Sequence, residues 1–263
     1  MSWRRVRGVM LQNFYVMRHS PLRIMEILYW PFIEVVLWGF LTTYLAQQNT
    51  DLPGGVDVLL GAVILWDVCF RTQQELAMTQ LMDMWDRSIV NLYASPMNQR
   101  EYVTGAIIFS LVRVLTGTVL LVVFVALAFD FNILTLGATL IPSFIALVMF
   151  GWALGLIIRA AVLRFGSNAE VLAWSLALLI QPVAAVFYPV SSLPGWLQPI
   201  ANAIPVSHVF TALRAFLADG TVLVGQLAAA FALDAVYLAA GAVVLGTAFK
   251  SVRARGLLSR PGY

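Results

Sequence analysis

Apolar residues come in long blocks divided by short polar stretches. Blocks at 22–45, 56–77, 103–129, 134–158, 169–188 and 222–249 each approach or exceed the roughly 20 residues that span a bilayer as a helix. They predict an all-α polytopic membrane protein with six transmembrane helices. Ahead of them, Trp3, Val6, Met10, Phe14 and Met17 recur at three- and four-residue spacing, while Arg4, Arg7, Gln12, Arg18 and His19 fall mostly off that stripe. Residues 1–20 therefore predict an amphipathic helix. It either lies in the membrane interface or docks on the protein's own spans. Ser20-Pro21 ends it, since proline suits a first helical turn.

One apolar stretch resists this pattern. FYPVSSLPGWLQPIANAIPVSH, residues 187–208, holds Pro189, Pro194, Pro199 and Pro205, and each proline removes a backbone donor and crowds the preceding turn. It predicts two short re-entrant arms between spans five and six, turning at Pro194-Gly195. Trp30-Pro31 and Gln181-Pro182 predict kinks in the first and fifth spans. Gly151 and Gly155 form a GxxxG in the fourth, which permits close helix approach.

Composition agrees with the class. The chain is 61% hydrophobic and 11% charged, against about 25% charged in soluble domains. With 263 residues it reads as a single transmembrane domain: helix 1–20, bundle 22–249 and basic tail 250–263. A lone cysteine, Cys69, excludes an intrachain disulfide. The N-terminal stretch lacks the compact apolar core and small-residue cleavage site of a signal peptide.

The net charge of +3 is explained by topology rather than by nucleic acid. The 45–56 and 129–134 connections carry no Lys or Arg. Arg4, Arg5, Arg7, Arg18, Arg23, Arg87, Arg100, Arg159, Arg164, Lys250, Arg253, Arg255 and Arg260 gather on the other side, with Arg214 the exception. The positive-inside rule then places both termini in the cytoplasm.

Glu34, Asp67, Arg113 and Asp234 fall near mid-depth, and Asp67, Arg71 and Glu75 are four apart on one helical face. Such groups either pair with one another, Arg113 satisfying one acid, or line a substrate path or proton relay. Catalytic chemistry is sparse. There is no GxxxxGK[ST] loop, and Lys250 is the single lysine, so the chain is not expected to hydrolyse ATP by itself. His19, His208 and Cys69 are too few and too scattered for a metal site. Ser191-Ser192 with His208, and Asp219 as a third member, is the one conceivable catalytic group.

The connector LMDMWDRSIVNLYASPMNQREYVTG, residues 81–105, places Asp83 and Asp86 before Arg87. A short helix and Ser95-Pro96 follow. It resembles the segment ahead of the third span in type-2 ABC exporter permeases. YPVSSLPGWLQPIANAIPVSHVFTALRAFLADG, residues 188–220, is similar to the same family's loop between spans five and six, with six residues separating Pro205 from Ala212-Leu213-Arg214. One departure is Asp86-Arg87-Ser88, where many members carry a glutamate followed by Gly-Thr.

The resemblance implies a half-transporter of the bacterial plasma membrane. Two copies would form a pathway between them, with two ATPase subunits bound below. ATP and Mg would belong to those partners, leaving no cofactor and no enzyme activity in this chain. It implies ATPase coupling through Asp86, Arg87, Ser88, Ile89, Asn91, Leu92, Tyr93, Ser95 and Pro96. It implies an outer gate from Tyr188, Pro189, Pro194, Gly195, Trp196, Pro205 and Arg214. The family's substrates include polysaccharides, lipids, drugs and peptides. Two rivals remain: a proton-coupled transporter using Glu34, Asp67 and Asp234, and a membrane enzyme centred on Ser192 and His208.

Overall fold

The structure, a computed structural model, describes residues 1–19, 21–47, 55–85 and 98–254. The long elements are helices: α1 (Trp3–Arg18), α2 (Pro21–Gln47), α3 (Gly55–Trp85), α4 (Gln99–Phe129), α5 (Leu140–Phe165), α6 (Glu170–Val183), α7 (Gln198–Asn202), α8 (Pro205–Asp219) and α9 (Val224–Ala254). No strand occurs among the described residues. The connector 86–96, with every coupling residue named above, lies outside the described residues.

Among the described residues α4, α9 and the run Ile133–Phe165 are long and apolar enough to cross a membrane. At about 1.5 Å per residue, the 27 residues of α2 and the 31 of α3 also exceed the ~30 Å hydrocarbon thickness. The charges on α3 keep it from reading as a simple apolar span.

Two boundaries differ from the sequence expectation. The fourth helix starts at Leu140, not near 134, because Gly137 sits at φ 50°, ψ −133° and breaks the preceding 3₁₀ turn from α5. The fifth stops at Val183 rather than 188. Its 14 residues reach about 21 Å, short of a full crossing by α6 alone. Pro182 therefore marks a terminus instead of a kink: the Ala184 N–H bonds back to the Ile180 carbonyl and the next residue, Ala185, turns left-handed at φ 52°.

α5 is the innermost helix. It packs between α3 and α9, and its two glycines allow this. A Cβ on Gly151 would sit 2.6 Å from Thr72 Cβ and 2.8 Å from the Cys69 carbonyl; one on Gly155 would sit 2.8 Å from Leu76 Cβ. The GxxxG thus joins α5 to α3 of the same chain. On its other side Phe150 meets Tyr237 of α9 edge-on, ring centroids 5.4 Å apart. Trp66, Leu147, Phe150 and Phe210 are among the side chains fully buried in the core.

α1 docks on α4. Val6 and Val9 are buried, and Val9 lies where a Cβ on Gly105 would be, 2.7 Å away. This docking face takes up only part of the expected apolar stripe: Val6 is buried, whereas Trp3 is 62% and Phe14 46% exposed. The helix therefore holds the protein with one face and offers an apolar one outward.

Candidate functional site

The intramembrane charges resolve into three places. On α3, Arg71 Nε donates to Asp67 Oδ2 at 2.6 Å, and both are buried. Glu34 of α2 lies within electrostatic reach of that pair. One turn along α3 from Arg71, Glu75 is bound by Arg113 of α4. Asp234 of α9 meets neither group. It is fully buried, and both carboxylate oxygens lack a hydrogen-bond partner.

Buried polar groups lower on α3 lock helices together. Gln73 Nε2 donates to the Ala173 carbonyl of α6 at 2.8 Å, and Gln80 Nε2 to the Arg159 carbonyl of α5 at 3.2 Å. Arg159, expected among the cytoplasmic surface charges, is completely buried. Its Nη1 donates to the Leu76 carbonyl at 3.1 Å and its guanidinium lies 4.8 Å from the Tyr102 ring centre, a cation–π arrangement suited to a desolvated arginine.

The two flanks of the 86–96 connector are both tied to α1. On the α3 side, Asp83 accepts from Gln12 Nε2 at 3.2 Å and from the Tyr102 hydroxyl. On the α4 side, Glu101 accepts from the Ser2 N–H at 2.6 Å, from Arg5 Nη1 at 3.3 Å and from the Asn98 N–H at 3.0 Å. The last contact is half of a capping box. The spacing Asn98-x-x-Glu101 is its sequence signal. The tie to α1 has no such signal, because its partners lie about 100 residues upstream.

The proline-rich segment folds as short elements over the end of α6. A 3₁₀ turn covers Val190–Ser192, and the Pro194 carbonyl accepts from the Leu197 N–H at 2.8 Å and the Gln198 N–H at 3.3 Å, a turn that leads into α7. Pro199 and Pro205 occupy first turns of α7 and α8, where a missing N–H costs nothing. Trp196 is 73% exposed at the tip. Tyr188 donates its hydroxyl to the Pro182 carbonyl at 2.5 Å. Arg214 Nη1 donates to the carbonyls of Ala185 and Val186 at 3.1 and 3.2 Å.

The serine–histidine group does not assemble. His208 Nδ1 faces Gln226 Oε1 at 2.6 Å and Nε2 faces the Asn202 carbonyl at 2.8 Å, so neither ring nitrogen is turned to Ser191 or Ser192. Asp219 takes the Thr221 N–H at 2.9 Å. The Thr221 hydroxyl and N–H hold its carboxyl below the usual range.

Long apolar helices carrying a few buried charges define a polytopic α-helical membrane protein. Residues 17–217 match the ABC-2 type transporter family, and the chain belongs to it: this is a membrane permease subunit of an ABC transporter. Such permeases generally work with a separate ATP-binding subunit. A comparison with curated proteins finds no match.

Proposed function

We propose that the chain is the membrane half of an ATP-driven exporter. In this reading α2, α3, α4, α5, α6 with its buried turn, and α9 are the six membrane passages. Both termini and the 86–96 connector lie in the cytoplasm, and residues 187–220 lie on the outer side of a bacterial plasma membrane. Two copies form the pathway. Asp86 to Pro96 engage ATPase subunits that bind ATP and Mg. Tyr188 to Arg214 gate the exit.

The observation that carries the coupling role is the attachment of α1 to both ends of the connector, at Asp83 and Glu101. A segment held at its two roots by one helix moves with that helix. A push on the connector would therefore reach α3 and α4 together with α1. Closure of the ATPases on ATP would supply the push, and the α3–α5 and α5–α9 contacts would carry it across the bundle.

The proton-driven alternative, with Glu34, Asp67 and Asp234 as carriers, is favoured most by Asp234. Asp67 is neutralised by Arg71, whereas Asp234 has no partner.

Purification from native membranes in mild detergent tests the proposal. A protein with a phosphate-binding ATPase motif should co-purify at a stoichiometric level, and its reproducible absence would refute the ATP-driven reading. Substrate-dependent transport that collapses with the proton gradient, in a preparation free of ATPase, would favour the alternative.

A further inference from the structure

Beside the 3₁₀ turn at Val190–Ser192, between α8 and the start of α9, lies a cavity of about 640 Å³ lined in part by Ser191, Asn202, Arg214, Ala218 and Gln226. Its lining holds one cation, Arg214, and no carboxylate. Asp219, next to Ala218 in the chain, is turned to Thr221 instead. Arg214 uses Nη1 on the Ala185 and Val186 carbonyls, while Nη2 is buried without a partner. A guanidinium has five donors in a planar fork, and a half-buried cation with donors to spare favours an oxyanion. Neutral donors accompany it. Gln226 has its Oε1 taken by His208, leaving its –NH₂ group to donate, and Ser191 adds a hydroxyl at the rim.

We propose that this cavity is a binding site for a phosphate-type oxyanion, offered by a lipid headgroup or by a soluble phosphate group. The guanidinium would supply charge and orientation, and the Gln226 amide and Ser191 hydroxyl would complete the donor set. The topology proposed above bears only on the side from which the anion arrives. Binding to purified protein does not depend on it or on an ATPase.

Isothermal titration of the full-length protein in neutral detergent with inorganic phosphate tests the site. Saturable binding is expected. Ala218→Glu, which adds a carboxylate to the lining at an exposed position, should weaken it about tenfold or more by like-charge repulsion. Ala218→Gln, of similar size, should retain it. Arg214→Gln should also abolish binding, but it removes the cap on Ala185 as well, so the Ala218 pair decides. Competition identifies the source. Displacement of phosphate by added phosphatidylglycerol assigns the site to a lipid headgroup, and no displacement assigns it to a soluble anion. Absence of phosphate binding in the unmodified protein, or equal binding by the two Ala218 variants, would overturn the proposal.

Discussion

Arg214 reaches 29 residues back along the chain to donate to the carbonyl of Ala185 at 3.1 Å, and Ala185 is a fully buried alanine held at φ 52°. A non-glycine in this region stores about 1–3 kcal/mol and persists only where its surroundings fix it. Its carbonyl, on a fully buried residue, also needs a partner. Arg214 meets that need, which explains why a cation sits in a segment otherwise almost without charge.

Arg214→Ala should therefore cost about 2–3 kcal/mol by leaving buried carbonyls unpaired. Ala185→Gly should raise stability slightly, by up to about 1 kcal/mol, because glycine adopts positive φ without penalty. Thermal unfolding in detergent, followed by fluorescence-detected size exclusion, reads both. A destabilised Ala185→Gly would show that the turn is not strained.

Arg113 and Glu75 link α4 to α3 with side chains only 13% and 15% exposed. Arg113→Gln should destabilise by about 2–4 kcal/mol, somewhat below the range for fully buried pairs. Glu75→Gln in the same background should recover most of the loss. If the single variant folds normally and transport alone fails, the pair serves the pathway and not the fold.

Gly151→Val places a branched side chain where Thr72 Cβ and the Cys69 carbonyl are 2.6 and 2.8 Å from the first added carbon. Backbone cannot yield as a flexible side chain can, so α3 and α5 must separate. The expected outcome is loss of monodisperse protein. Gly246→Val, in open space on α9, should behave nearly as the native protein and is the matched control.

Much of this arrangement was legible in the chain. Long apolar blocks announced the helices, prolines announced the broken segment, and Arg71 lies four residues from Asp67, so their pairing follows from helix geometry. What was not legible depends on contacts distant in sequence. Nothing local to Arg159 distinguishes a buried arginine from a surface one; its burial comes from Leu76 and Tyr102. The stripe on α1 was visible, yet its docking face was set by Gly105, which admits Val9. The early end of α6 follows from Pro182 together with Arg214, and only the proline is local.

Asp234→Asn replaces a buried carboxyl that has no hydrogen-bond partner and keeps the shape. Stability should hold or rise, because an unpaired buried carboxylate is costly. Transport driven by ATP should be unaffected. A selective loss of transport in a well-folded Asp234→Asn protein would assign a proton-carrying role to this acid.

The most direct test of the proposed mechanism is photo-crosslinking in intact cells, with a benzophenone amino acid at Tyr93 in one variant and at Trp196 in another. The account predicts that Tyr93 captures a protein carrying an ATP-binding phosphate loop and that Trp196 does not. Capture of such a protein from Trp196, or none from Tyr93 in a transport-competent variant, would contradict both the topology and the route of coupling.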